Sequence, residues 1–224
     1  MIELQDVAIR LRGRTLVEPF STTFRAGTVT CLVGSNRGAL STLFRAVAGL
    51  EHFSGQILFD GRELAEARPE VYACFGDAAL LPSLSGYENL RLSVGRALSR
   101  RAIASVAPAL AADSILRMPA HTLGIGERRR LHLLAALASG ARYLLFDFDL
   151  DDLGRDAPST IEVRAAFRRR SPQATVLLVG ASSTKLASAS GKRRMLPATG
   201  EEGQGECADS MTPTCPTRPV ALRL

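Results

Sequence analysis

The chain has 224 residues, 46% hydrophobic and 22% charged, with a formal net charge of +6. That length and balance suit one globular domain with room for a buried core, and no apolar run reaches the roughly 18–20 residues that span a bilayer. The opening Met1-Ile2-Glu3-Leu4 lacks the basic and apolar regions of a secretory signal, so any membrane connection is expected to come through a partner.

Residues 2–10 alternate apolar and polar side chains, the pattern of a half-buried strand, and a second strand is expected at 15–24 before a turn at Ala26-Gly27. Residues 28–33 form a short, nearly continuous apolar and β-branched run, as in a strand buried on both faces. A glycine-containing loop over 34–38 then leads to a helix expected over 41–50. Strand, loop and helix in that order make the skeleton of a phosphate-binding loop. Residues 56–60 read as a strand closed by a turn at Asp60-Gly61. Segments rich in Ala, Leu and Arg over 87–112 predict a helical insertion, and another helix is expected from Gly126 to Ala138. Residues 142–147 and 175–179 are expected as buried strands, with a helix over 160–170 between them. This alternation predicts an α/β core on a parallel sheet. From about Thr199 the composition turns to Gly, Glu, Thr, Pro and Cys without periodicity, which predicts a disordered tail.

Cys31 and Cys74 lie in strand-like runs and read as buried thiols, while Cys207 and Cys215 lie in the tail. No C-x-x-C pair occurs, so neither a zinc site nor a redox motif is expected. His52, His121 and His132 match no metal spacing. The basic clusters at 128–130, 168–170 and 192–194 read as solvated faces, because the chain is only 5% aromatic and has no Trp. No specific nucleic acid partner is expected.

Several motifs stand in a recognisable order. They are Val33-Gly34-Ser35-Asn36-Arg37-Gly38-Ala39-Leu40-Ser41-Thr42-Leu43, then Leu80-Leu81-Pro82-Ser83-Leu84-Ser85-Gly86-Tyr87-Glu88-Asn89-Leu90, then Leu123-Gly124-Ile125-Gly126-Glu127-Arg128-Arg129-Arg130. Tyr143-Leu144-Leu145-Phe146-Asp147, Asp151-Asp152-Leu153-Gly154 and residues 175–182 follow. Together they resemble the ABC ATPase family over roughly residues 1–200: Walker A, the segment after the Q-loop, the LSGGQ signature, Walker B, the D-loop and the strand ending at the H-loop. The resemblance implies a P-loop NTPase-like core with a mixed or parallel sheet, an N-terminal antiparallel β subdomain and an α-helical insertion. The expected domain covers 1–198, with the insertion at about 83–125 and the tail at 199–224.

A Walker A loop of the form G-x-x-x-x-G-K-[ST] needs glycines to curl backbone N–H groups around phosphate, a lysine for the β/γ oxygens and a hydroxyl for Mg²⁺. Gly34, Asn36, Gly38, Ser41, Thr42 and Asp147 are what the resemblance leaves of a nucleotide site. Ala39 replaces the second glycine, at an expected strain of about 1–2 kcal/mol if φ must be positive. Leu40 replaces the lysine, which removes a contact worth roughly 1.5–3 kcal/mol and aims an aliphatic group at the phosphates. Leu11 stands for the aromatic that stacks on adenine, and Gly76 for the Q-loop glutamine. Phe148 takes the place of the general base and cannot accept a proton. Asp149, one step further along a strand, is expected on the opposite face. Ala181 stands for the switch histidine and Gly154 for the D-loop aspartate. In the signature, Gly124 and Ile125 displace the usual Ser and first Gly. Gly126 remains at a helix start that favours anions, and Glu127 is expected to repel a γ-phosphate. No catalytic residue is assigned, and ATP with Mg²⁺ is implied at most as a weakly held cofactor.

The resemblance also implies partners. Leu80, Leu81, Leu84 and Tyr87 are expected as apolar anchors for a coupling helix of a membrane permease, and Ser85 with Glu88 as a capping box on the same segment. The implied role is a non-hydrolysing subunit paired with a competent ATPase subunit and a permease, cytoplasmic and held at the inner face of the membrane through them. With the partner's Walker A, this chain's signature is the half-site expected to persist, because Gly126 remains. Two alternatives stay open: an active or weakly ATP-binding ATPase using Ser41, Asp147 and Asp149, and a soluble scaffold or regulator.

Overall fold

Alternating side chains at the N-terminus build two long strands, β1 (Ile2–Leu11) and β2 (Arg14–Phe24), paired antiparallel. Arg12 and Gly13 join them with φ of 51° and 81°, the two positive values that a tight type I′ hairpin turn requires. The apolar run then forms β3 (Val29–Gly34), fully buried until its last residue. The computed structural model describes residues 1–34, 36–75, 80–95, 99–181 and 192–195.

Helix α1 (Arg37–Val47) starts four residues before the position expected from the sequence. The cause is Asn36, whose side-chain Oδ1 accepts the Ala39 N–H at 3.0 Å and so caps the helix directly after the strand. Strand β4 (Ser54–Phe59), helix α2 (Leu64–Ala67) and strand β5 (Val71–Cys74) follow. Next come α3 (Gly86–Val94), α4 (Arg100–Val106) and α5 (Ile125–Ser139). Strand β6 (Tyr143–Phe146), helix α6 (Thr160–Arg170) and strands β7 (Thr175–Ala181) and β8 (Lys192–Met195) complete the described elements.

β1 sits between β2 and β4 in a three-stranded antiparallel sheet. The other five strands pair in the order β5-β6-β7-β3-β8, each neighbour parallel. Side chains alternate across that sheet, so both faces are covered, as a parallel sheet requires. Leu32, Tyr143, Leu145 and Leu177 pack with α1 and the antiparallel sheet. Cys31, Val33, Leu144 and Phe146 face α3, α4, α5 and α6. Cys31 and Cys74 are buried free thiols.

Asp60, in the turn after β4, joins the two sheets. Its carboxylate accepts from the Tyr143 hydroxyl and pairs with Arg142 at 2.8 Å. Burial works against its charge, but hydrogen bonds from the Met1 amino group and Tyr143, with Arg142 nearby, hold the carboxyl below its ordinary value. Among the described residues no helix is long and apolar enough to cross a membrane. The tail at 199–224 lies outside the described residues.

Candidate functional site

The carboxyl ends of β3, β6 and β7 share one edge of the parallel sheet, where open α/β folds place ligands. Gly34 pairs with Ala181 in register, and Asp147 follows the last residue of β6. The cap on α1 brings Asn36, Gly38, Ser41 and Thr42 to the same edge. Ser41 Oγ donates to Asp147 Oδ1 at 3.1 Å. Thr42 instead bonds back to its own helix, its Oγ1 donating to the Gly38 carbonyl at 2.7 Å.

Arg37 is the residue that sequence reasoning missed. Its Nη2 lies 3.4 Å from Asp147 Oδ1 and 3.3 Å from the Asp147 carbonyl oxygen. The signal available was a basic side chain inside the phosphate-loop motif, displaced by three positions from the missing lysine.

Two expectations about this loop are corrected. Ala39 is helical and is not among the non-glycine residues of positive φ, which are Asp6, Arg12, Asp60 and Ala111. Its substitution for glycine therefore strains nothing, because the helix has already begun. Leu40 does not aim at a ligand; it is 0% exposed and packs in the core with Leu43 and Phe44.

β6 ends at Phe146, so the alternation of a strand does not extend to Asp149 as expected. Phe148 is buried beside Phe146, ring centroids 5.4 Å apart, with the Arg129 guanidinium 5.4 Å above its ring. Asp149 caps the short 3-10 turn Leu150–Asp152, its Oδ1 accepting the Asp151 N–H at 3.2 Å. Burial raises its carboxyl above the ordinary value, and the charges of Asp151 and Asp152 add to that; the capping bond and Arg37 work against it. Burial likewise pushes the Cys74 thiol up to about 12, with Arg129 opposing and Asp147 assisting.

At the signature position, Gly124 caps α5 and Glu127 turns back to it, Oε2 accepting the Gly124 N–H at 2.8 Å. The carboxylate also lies 3.8 Å from Arg130. It is therefore engaged within its own helix. Ile125 is 62% exposed. Gly126 has a packing reason inside the chain: a Cβ there would stand 2.4 Å from the Leu153 carbonyl carbon and 2.5 Å from the Gly154 nitrogen. Gly154 itself has φ of 94°. Arg129 adds an ion pair to Asp152 at 3.1 Å, tying α5 to the same loop.

Leu11 is exposed next to the β1–β2 turn. Gly76 lies outside the described residues, and Ala181 is described by its backbone only.

The segment before α3 is organised by its own polar groups. Ser85 Oγ accepts the Glu88 N–H at 3.3 Å while Glu88 Oε2 accepts the Ser85 N–H at 2.8 Å, the capping box expected from the sequence. Hydrogen bonding to Ser85 keeps the Glu88 carboxyl below its ordinary value. Asn89 is buried, and its Oδ1 accepts the Leu81 N–H at 2.7 Å. Its Nδ2 donates to the carbonyls of Leu81, Leu84 and Ser85 at 3.2, 3.2 and 3.0 Å. Leu81 is exposed; Leu80, Leu84 and Tyr87 are half-buried. Of these four, Tyr87 lines a groove of about 520 Å³ with Arg100, Ile103, Asp113 and Arg117. Arg100 lies 5.5 Å over the Tyr87 ring.

A family profile described as ABC transporter matches residues 17–148, more than half of the chain. The chain belongs to the ABC transporter family. An uncharacterized ABC transporter ATP-binding protein of Sinorhizobium fredii is 30% identical over 179 residues, 75% of this chain and 51% of its own length. An aliphatic sulfonates import ATP-binding protein of Paraburkholderia xenovorans is 33% identical over 181 residues, 80% of this chain and 52% of its own. This ABC transporter family member thus spans about half the length of the curated relatives it matches. A putative ABC transporter ATP-binding protein of Pyrococcus furiosus has the same fold, with a TM-score of 0.67 at 17% identity over 87% of this chain and 96% of that one. The α/β architecture on a parallel sheet expected for the ABC transporter family stands.

Proposed function

We propose that this chain is a non-hydrolysing nucleotide-binding-type subunit of an ABC transporter complex, working beside a competent ATPase subunit and a membrane permease. One observation carries the reading. Leu40 and Phe148, which stand where the lysine and general base of the family belong, are both 0% exposed core side chains. Neither supplies charge, a proton acceptor or a ligand to a phosphate.

The family implies ATP with Mg²⁺, and the residues at this edge fit the pair poorly. Ser41 and Arg37 both already engage Asp147. Asn36 spends its side chain on the Ala39 N–H, one of the donors a phosphate would need.

The complex is an importer on this reading, supported by relatives named for import of aliphatic sulfonates and of sn-glycerol-3-phosphate. Leu80, Leu81, Leu84 and Tyr87 dock the permease, which holds the chain at the inner face of the membrane. The functional domain is 1–198, with its helical insertion at about 83–125 and 199–224 as an appended tail. The test is steady-state turnover of Mg·ATP by the purified chain and by the complex. The chain alone is expected to show none above background, and the complex to lose its turnover when the partner's Walker A lysine is replaced. Sustained hydrolysis by the chain alone, abolished by Asp147→Asn, overturns the proposal and installs an ATPase that uses Asp149.

A further inference from the structure

We propose that Arg37 is a built-in cation: its guanidinium satisfies the Asp147 carboxylate that a divalent ion would otherwise need, and so excludes the metal by charge. The inference rests on the non-hydrolysing reading and supplies its electrostatic cause.

The geometry builds up from the cap. Because Asn36 starts α1 directly after β3, Arg37 becomes the first helical residue, on the side of Asp147. Its Nη2 reaches both Oδ1 and the main-chain oxygen of Asp147, at 3.4 and 3.3 Å. Ser41 donates its proton to the same Oδ1 at 3.1 Å. The two groups that would offer oxygen to a metal thus face each other, with a positive charge beside them. The Asp147 side chain is 12% exposed and that of Arg37 48%, so the carboxylate is shielded while its counter-ion remains in contact with water. Asp149 also feels the Arg37 charge.

A small hard cation needs oxygen ligands at roughly 2.0–2.1 Å in near-octahedral order and gives up its water reluctantly. A neighbouring guanidinium repels it, and removing one positive charge about 5 Å away strengthens divalent binding by about tenfold or more at intermediate dielectric. Arginine suits the task because it stays charged at any working pH.

The experiment is room-temperature electron paramagnetic resonance of Mn²⁺ titrated into the full chain without nucleotide. Wild type and Arg37→Lys are expected to leave the free-ion signal as in buffer through low millimolar Mn²⁺. Arg37→Gln is expected to bind one equivalent at least about tenfold more tightly, and Arg37→Gln combined with Asp147→Asn to lose it. Thermal melts confirm that each variant is folded, and Arg37→Met replaces Arg37→Gln should the latter fail. Two results overturn the inference: wild type binding one Mn²⁺ that Asp147→Asn removes, or Arg37→Gln and Arg37→Met binding no better than wild type. Either leaves the non-hydrolysing reading to its own turnover assay, which requires no change at Arg37.

Discussion

Gly126 lies against Leu153 so closely that a Cβ carbon would stand 2.4 Å from the Leu153 carbonyl carbon. That contact joins the start of α5 to the loop after β6, beside the Arg129–Asp152 ion pair. The obstacle is backbone, which cannot swing aside as a side-chain tip would. Gly126→Ala is therefore expected to cost about 1–3 kcal/mol through forced backbone shifts. For a chain of this size the melting temperature should fall by roughly 2–4 °C per kcal/mol. Gly124→Ala is the control, since its Cβ would meet nothing nearer than Glu127 Oε2 at 3.7 Å. Thermal melts of the two variants decide the matter, and equal midpoints would show that the loop gives way.

Leu40 tests whether the phosphate-loop motif can be repaired by one substitution. The side chain is 0% exposed among Leu43, Phe44 and the first sheet. Leu40→Lys buries an ammonium or forces its stem to snorkel past the helix start. A cost of about 3–5 kcal/mol is expected, as for other uncompensated charges left in a core. Urea denaturation gives the stability, and equilibrium dialysis against Mg·ATP gives the binding. A variant that kept wild-type stability and gained nucleotide would mean that position 40 still addresses a ligand, contrary to the packing described.

The contrast between what could and could not be read ahead has a physical basis. Strand alternation at 2–10 and the apolar run at 28–33 were legible because burial follows a local period. The capping box at Ser85 and Glu88 was legible because both halves lie within one turn. The start of α1 was misplaced because the motif's glycines outweighed Asn36, a strong cap. The basic side chain of Arg37 shows in the motif, but its pairing does not, because the partner is 110 residues away. The packing of Gly126 against Leu153 and Gly154 has no local signal, because those neighbours arrive from another segment. Asp149 falls outside any period-two pattern, because β6 ends at Phe146.

Asp149 gives a stability prediction with a definite sign. Burial, then the Asp151 and Asp152 charges, lifts its carboxyl above the ordinary value of 3.8. A value raised on folding means that the ionised carboxylate costs stability at neutral pH. The cost shrinks as pH falls through the raised folded value and vanishes below the unfolded one, where both states hold the proton. Asp149→Asn keeps an acceptor for the Asp151 N–H and removes the charge. The variant is expected to be more stable than wild type at about pH 7, with the gain shrinking on acidification and absent below about pH 3.5. Denaturant midpoints across that range measure it. A neutral-pH loss that persisted in acid would assign the effect to geometry instead of charge.

Asn89 holds the shape of the segment proposed above to dock a permease. Its one buried amide accepts from Leu81 and donates to the carbonyls of Leu81, Leu84 and Ser85. Those bonds fold residues 81–85 over the start of α3, and with them the exposed Leu81 side chain. Asn89→Ala leaves four backbone groups without that partner, at a cost of about 2–3 kcal/mol after water makes up part of the loss. The damage should be local, because Leu90 and α5 keep their apolar contacts. Hydrogen exchange is the appropriate measurement: the Leu81 amide should lose its protection while amides within α5 keep theirs. A protected Leu81 amide in Asn89→Ala would show that the turn is held by packing alone. If it is exposed and permease co-purification also falls, the shape of this turn, and not only its apolar surface, is what the membrane subunit recognises.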